Sequence, residues 1–260
     1  MTTPPDISEH PSYREKADST ASLPTAAEYA ANARAFGDAL AGRVMAAHPA
    51  APRPASPWIM TASGRAVAYL DPDPDTIALS DIGAQLGKIC RYNGATGPFY
   101  TVAQHSVFVA DILPMDSGDG HPAMLLKTAG LFHDAHETIT GDIVSPMKQA
   151  IVAAGGGDDV IKRIETGLDR AIYTAFGLPW PLPAEWVRQI KLADMIALAT
   201  ERRDLMPPAA QGHPEWEIDL PAPSPLRIKP LPWDRAEDLF LTRARELAAI
   251  AWLSGGAWDR

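Results

Sequence analysis

His133 and Asp134 are neighbours at the end of the apolar run AMLLKTAGLF. With seven histidines in the chain, such a dipeptide arises readily by chance. Its placement makes it informative, because ionisable groups at the end of a buried segment are costly unless they are paired or metal-bound. Glu137 follows His133 by four residues, which puts both on one face if the helix continues that far. Asp142 comes next, in the turn GDI. In TVAQHSVFVADIL, His105 shares a helical face with Val102, Phe108, Val109 and Ile112 and so points inward. In VRQIKLADMIAL, Asp194 stands four residues after Ile190 and four before Leu198, a carboxylate written into an apolar stripe. A buried, unpaired aspartate is improbable. Together His105, His133, Asp134 and Asp194 offer two imidazoles and two carboxylates from three helices, a set suited to one divalent metal ion. Such N and O donors fit Mn, Co, Zn, Fe, Ni or Mg better than copper(I) or an iron–sulfur cluster.

The elements that must position these residues are mostly helical. Apolar residues recur at spacings of three and four over 101–113, 122–137, 158–176, 183–206 and 233–253, with Gly, Pro or Asp in the interruptions. Ser80 is a candidate N-cap for a helix carrying Ile82, Leu86 and Ile89. The expected class is all-α, with one small hairpin over 58–70, where two apolar runs flank a Ser-Gly turn. The first 57 residues hold eight prolines around an alanine-rich stretch, 25–48, that reads as a helix. They are expected to form an arm (1–57) appended to a main domain (58–260), and the eight prolines of 207–232 suggest a long surface connection.

Composition bounds the function. The 260 residues are 46% hydrophobic and 21% charged, enough for one sizeable core or two small ones. No apolar run approaches the roughly 18 to 20 residues of a membrane span. The N-terminus does not resemble a signal peptide, and the lone Cys90 excludes a disulfide scaffold and a thiolate zinc site; a cytoplasmic protein is expected. A net charge of −9 argues against a large nucleic-acid footprint, so an anionic ligand must be met locally. His121 and His213 lie in polar loops and are expected to be solvated. His136 is expected behind the ligands or at the surface, and the seven tryptophans are expected in the core or at protomer contacts.

The order H…HD…D, with HDAHETITGDIVSPMK around the central pair, CRYNG…FYTVAQHSVFVADI before it and KLADMIAL after it, resembles the HD-domain metal-dependent phosphohydrolases. Within this all-helical superfamily the likeness is to the nucleotide-cleaving branch, with its YfbR-type 5′-deoxynucleotidases and DatZ-type dATP triphosphohydrolases, and it covers residues 58–206. The resemblance implies that His105, His133, Asp134 and Asp194 are the metal ligands. It implies that Glu137 and Asp142 handle the water and the leaving group, and that Arg91, Lys148 and Lys191 stand near phosphate. Two features depart from the branch: Gln104 replaces a glutamate, which removes a charge behind the ligands, and the arm has no counterpart. No histidine occurs from Glu137 through Ala193, which disfavours the multi-metal and di-iron members of the superfamily.

The resemblance implies a metal-dependent hydrolase of deoxynucleoside 5′-phosphates. The leading expectation is a dNTP triphosphohydrolase, with dATP as a candidate substrate, releasing deoxynucleoside and triphosphate. The alternative is a 5′-deoxynucleotidase acting on monophosphates; from another class, a non-catalytic nucleotide or metal sensor on the same scaffold. No membrane partner is expected, and the resembling enzymes imply a homo-oligomer.

Overall fold

The computed structural model describes residue 31, residues 55–114, 123–214, 216 and 218–256, with side chains through residue 249. The expected arm helix, apart from the helical Ala31, lies outside the described residues, as do His121 and the side chains of Trp252 and Trp258. The described chain is mainly helical with one two-stranded antiparallel hairpin. Strands β1 (Trp58–Met60) and β2 (Ala66–Ala68) pair with Trp58 opposite Ala68 and Met60 opposite Ala66. Eight helices follow: α1 (Leu79–Leu86), α2 (Val102–Ile112), α3 (Ala123–Leu131), α4 (Glu137–Thr140), α5 (Ser145–Ala154), α6 (Val160–Ala175), α7 (Ala184–Asp204) and α8 (Trp233–Gly256). None of the described helices is long and apolar enough to cross a membrane.

Helix α3 is the centre of the core, and all nine of its residues are buried. That explains why its sequence is apolar all round rather than on one stripe. Helices α2, α7 and α8 pack against it, and α8 also covers α1 and α2. Gly130 permits the close approach of α2, since a Cβ there would lie 2.3 Å from Leu113 Cδ1. The one charged residue of α3, Lys127, donates to the carbonyls of Ala110 and Leu113 at 2.7 and 2.6 Å. It thereby satisfies acceptors at the C-terminal end of α2 that would otherwise be orphaned. Just beyond α3, Phe132 stacks on Phe176 at 4.8 Å and meets Phe240 of α8 at 6.0 Å.

Two local expectations are corrected, and one helix is added. Helix α1 begins at Leu79 with Ala78 as its cap, so Ser80 lies inside it. Asp81 accepts from Thr61 Oγ1 and from the Ser63 amide, both at 2.7 Å, and ties the hairpin turn to α1. The helix expected over 122–137 stops at Leu131, and residues 132–136 form turns before α4. Helix α5, entered through Pro146 in its first turn, was not expected as an element. Among the tryptophans, Trp186 is core, as expected, and Trp58 and Trp233 are 38% and 46% exposed.

Candidate metal centre

Two helices and the turn after α3 bring the four expected ligands close together, with the donor atoms of His105, His133 and Asp134 within 4.8 Å of one another and Asp194 beside them. Thr101 caps α2 by accepting from the Gln104 amide, which sets His105 in the first turn, fully buried. The break after Leu131 delivers the second pair. Successive residues of a continuous helix do not face one another, yet the turn lets His133 Nε2 come within 3.2 Å of Asp134 Oδ2. Asp194 arrives from the middle of α7. His105 Nε2 is 3.3 Å from His133 Nε2, 3.5 Å from Asp134 Oδ2 and 3.4 Å from Asp194 Oδ1; His133 Nε2 is 4.0 Å from Asp194 Oδ1.

The separations of 3.2–3.5 Å fit a shared cation, and the 4.0 Å between His133 and Asp194 lies outside them. Ligands at about 2.0–2.2 Å from a divalent ion in tetrahedral or octahedral arrangement stand roughly 3.0–3.5 Å apart. The tautomers fit as well. His133 Nδ1 lies 2.8 Å from the Gly130 carbonyl, which can only accept, and His105 Nδ1 lies 2.6 Å from Glu201 Oε1. Both rings therefore carry hydrogen on Nδ1 and turn Nε2 toward the cluster, the orientation in which histidine binds metal. The electrostatics favour positive charge at this point. Burial opposes ionisation of Asp134, but His133 and His105 hold its carboxyl well below the usual range. For Asp194, Lys191 and the two imidazoles likewise outweigh burial. His105 is pushed well above its ordinary value, because Glu201, Asp134 and Asp194 outweigh burial and the nearby Arg91.

Glu201 is the residue that sequence reasoning missed. It is fully buried on α7, seven residues and two helical turns beyond Asp194, so both share one face. Its Oε1 faces His105, and its Oε2 accepts from Tyr92 Oη at 2.5 Å and from Arg91 Nε at 3.2 Å. Burial works against its charge, yet Arg91 and His105 hold its pKa below the ordinary value. Gln104 faces elsewhere, donating to the Lys229 carbonyl and accepting from the Leu231 amide. Glu201→Ala leaves three donors without their acceptor. Metal affinity is expected to fall about 10- to 100-fold, read by competition with a chromogenic chelator; unchanged affinity would remove Glu201 from this role.

Of the expected phosphate-binding residues, Arg91 and Lys191 contact the cluster's carboxylates and Lys148 pairs with Glu165. Arg91 follows a backbone bridge in which Cys90 pairs with Thr101, so the start of α2 and Arg91 are held together. Its Nη1 lies 3.4 Å from Asp134 Oδ2. Tyr92 and Asn93 then take left-handed φ of 56° and 51°, costing about 1–3 kcal/mol each, and the bond from Tyr92 to Glu201 helps fix the turn. Lys191 Nζ lies 2.8 Å from Asp194 Oδ2, one turn away on α7. Lys148, early in α5, lies 2.7 Å from Glu165 Oε1.

Glu137 and Asp142 join the same field. Gly141, at φ 74° and ψ 167°, ends α4 and turns the chain toward Asp142, a conformation reserved for glycine. Burial, reinforced by Asp134 and Asp142, pushes the Glu137 carboxyl well above the ordinary range. Burial also raises Asp142, against the pull of Arg91. Asp134, His136 and Glu137 form a second group whose donor atoms lie within 4.8 Å of one another. His136 is not at the surface: it is 4% exposed and its Nδ1 lies 2.8 Å from Asp169 Oδ1. His213 is exposed, as expected.

No protein-family model matches the chain. It is 34% identical over 179 residues to the uncharacterized protein RCAP_rcc00048 of Rhodobacter capsulatus, a match spanning 67% of this chain and 84% of that protein. It is also 32% identical over 193 residues to the uncharacterized protein YfdR of Escherichia coli K12, spanning 74% of this chain. Because that match takes in 97% of YfdR, the chain belongs to the same family as YfdR.

Proposed function

We propose that the protein is a metal-dependent phosphohydrolase of the HD-domain type that cleaves deoxynucleoside 5′-phosphates. The observation that carries this reading is the cluster of His105, His133 and Asp134 donor atoms, with Asp194 Oδ1 3.4 and 4.0 Å from the two imidazole Nε2 atoms and Arg91 and Lys191 on the carboxylates. A divalent cation held there supplies Lewis acidity, acidifying water and offsetting charge that develops on a phosphoryl group. The chain's own residues do the rest. His105 and His133 are locked in the ligating tautomer by Glu201 and the Gly130 carbonyl. Glu137 and Asp142 form a carboxyl pair in which one member donates a proton to the leaving oxygen and the other accepts one from water. Arg91, Lys148 and Lys191 give a net-acidic protein a local cationic wall for the phosphate chain.

Within this reading the leading substrate is a deoxynucleoside triphosphate, cleaved to deoxynucleoside and tripolyphosphate. The test is incubation with deoxynucleoside mono-, di- and triphosphates in the presence of Mg, Mn, Co or Zn, resolving orthophosphate from tripolyphosphate. Tripolyphosphate with free nucleoside is the expected product. Orthophosphate from monophosphates alone makes the protein a 5′-deoxynucleotidase. No release from any nucleotide by metal-loaded protein overturns the hydrolase and leaves a sensor.

A further inference from the structure

Behind Lys148 lies a buried group that the proposed chemistry does not use. Glu165 and Asp169 stand four residues apart on α6, one turn along the same face, and are 6% and 2% exposed. His136 sits between them. Its Nδ1 meets Asp169 Oδ1 at 2.8 Å, and its Nε2, which makes no hydrogen bond, lies at ion-pair distance, 3.7 Å, from Glu165 Oε1. That same Glu165 oxygen receives the Lys148 ammonium at 2.7 Å.

Three buried ionisable groups are an expensive way to pack one helix against a loop, since apolar residues of similar volume are often as stable or more so. The chain Asp169–His136–Glu165 ends, moreover, on a side chain that is 31% exposed. Lys148 is thus held from behind while remaining open in front. A lysine loses about 2 kcal/mol of rotamer entropy when fixed, and a lysine ordered before its ligand arrives avoids part of that loss on binding.

We propose that Glu165, oriented by His136 and Asp169, is a positioning residue that presents the Lys148 ammonium to a phosphoryl oxygen at the metal centre. Helix α6, which contributes no ligand to the cluster, thereby becomes part of the phosphate-binding machinery. The inference rests on the phosphohydrolase reading for the role of Lys148.

The test is a double-mutant cycle on the full-length, manganese-loaded protein, titrated calorimetrically with inorganic tripolyphosphate. Lys148→Ala is expected to weaken binding about tenfold, the loss of one charge-assisted contact. Glu165→Gln, which keeps an acceptor but removes the charge, is expected to weaken it about threefold in the parent and not at all in the Lys148→Ala background. His136→Gln leaves Glu165 in place but unoriented. A smaller loss, again absent without Lys148, is expected, so a misfolded Glu165 variant does not end the test. Additive losses, or unchanged affinity in both the Glu165 and His136 variants, overturn the proposal, as does a parent that binds no tripolyphosphate. Deoxynucleotide turnover is measured alongside. Coupled binding without turnover sinks the hydrolase reading and keeps the positioning role; turnover with additive losses does the reverse.

Discussion

Asp134→Ala is expected to lose metal and turnover together. Bound metal should drop from about one per chain to a small fraction of that, and nucleotide hydrolysis should fall on the order of a thousandfold or more, because the ion supplies both the acidified water and the charge offset. The carboxylate has two functions at once. Its Oδ2 stands 3.2 Å from His133 Nε2 and 3.5 Å from His105 Nε2, so on the proposed reading it is both a donor and one of the two ligand carboxylates that draw a cation. Without it two imidazoles face a single carboxylate, Asp194, which is already paired with Lys191. The fold should persist, since the Asp134 side chain is 19% exposed and its bond to Arg91 is long at 3.4 Å. The neighbouring aromatic stack of Phe132, Phe176 and Phe240 is untouched. Metal content by elemental analysis, with thermal unfolding as the control for folding, checks the expectation. His133→Ala should behave alike, and a full complement of metal in either variant would mean that the ligand shell is assigned wrongly.

The parts of this centre that could be read in advance are those whose neighbours in sequence betray them. Asp194 breaks an apolar stripe on α7, and His105 shares a face with valines, so burial alone flags both as needing partners. Glu201 gave no comparable local sign. It stands in TERRD near the end of α7, among charges that ordinarily face water, while its partners Tyr92, Arg91 and His105 lie 109, 110 and 96 residues away. A seven-residue step from Asp194 was the available clue, because that spacing returns to the same helical face. The break after Leu131 was hidden for another reason. FHDAHE contains neither glycine nor proline, and propensity would carry the helix on. What ends it is tertiary demand, since only a turn lets consecutive His133 and Asp134 meet at one point. Gln104, read as a lost charge behind the ligands, has its side chain committed to the backbone of residues 229 and 231. The carboxylates of α6 escaped notice because their partner His136 belongs to a different element.

Glu137→Gln is expected to separate binding from chemistry, keeping about one metal per chain while the rate falls about 10²- to 10⁴-fold, the usual worth of a positioned acid or base. The four donors of the cluster do not include Glu137, so the amide leaves them intact. What the substitution removes is the proton. Burial, with Asp134 and Asp142 adding like charge, raises the Glu137 carboxyl well above the ordinary range, so this group keeps its proton into conditions where an exposed glutamate has lost it. Glutamine copies the shape of that protonated acid, which is why folding should survive, yet it cannot give the proton up. If Glu137 is the acid, the parent's rate declines as pH rises through the raised pKa, and the variant loses that limb of the profile. Asp142, raised less strongly and also by burial, would then account for any residual rate. The measurement pairs metal content with kcat across pH. The competing outcome is sharp, because Asp134, His136 and Glu137 place donor atoms within 4.8 Å of one another: metal loss in Glu137→Gln would move Glu137 from proton transfer into the coordination shell, and the assignment of acid and base would pass to Asp142 alone.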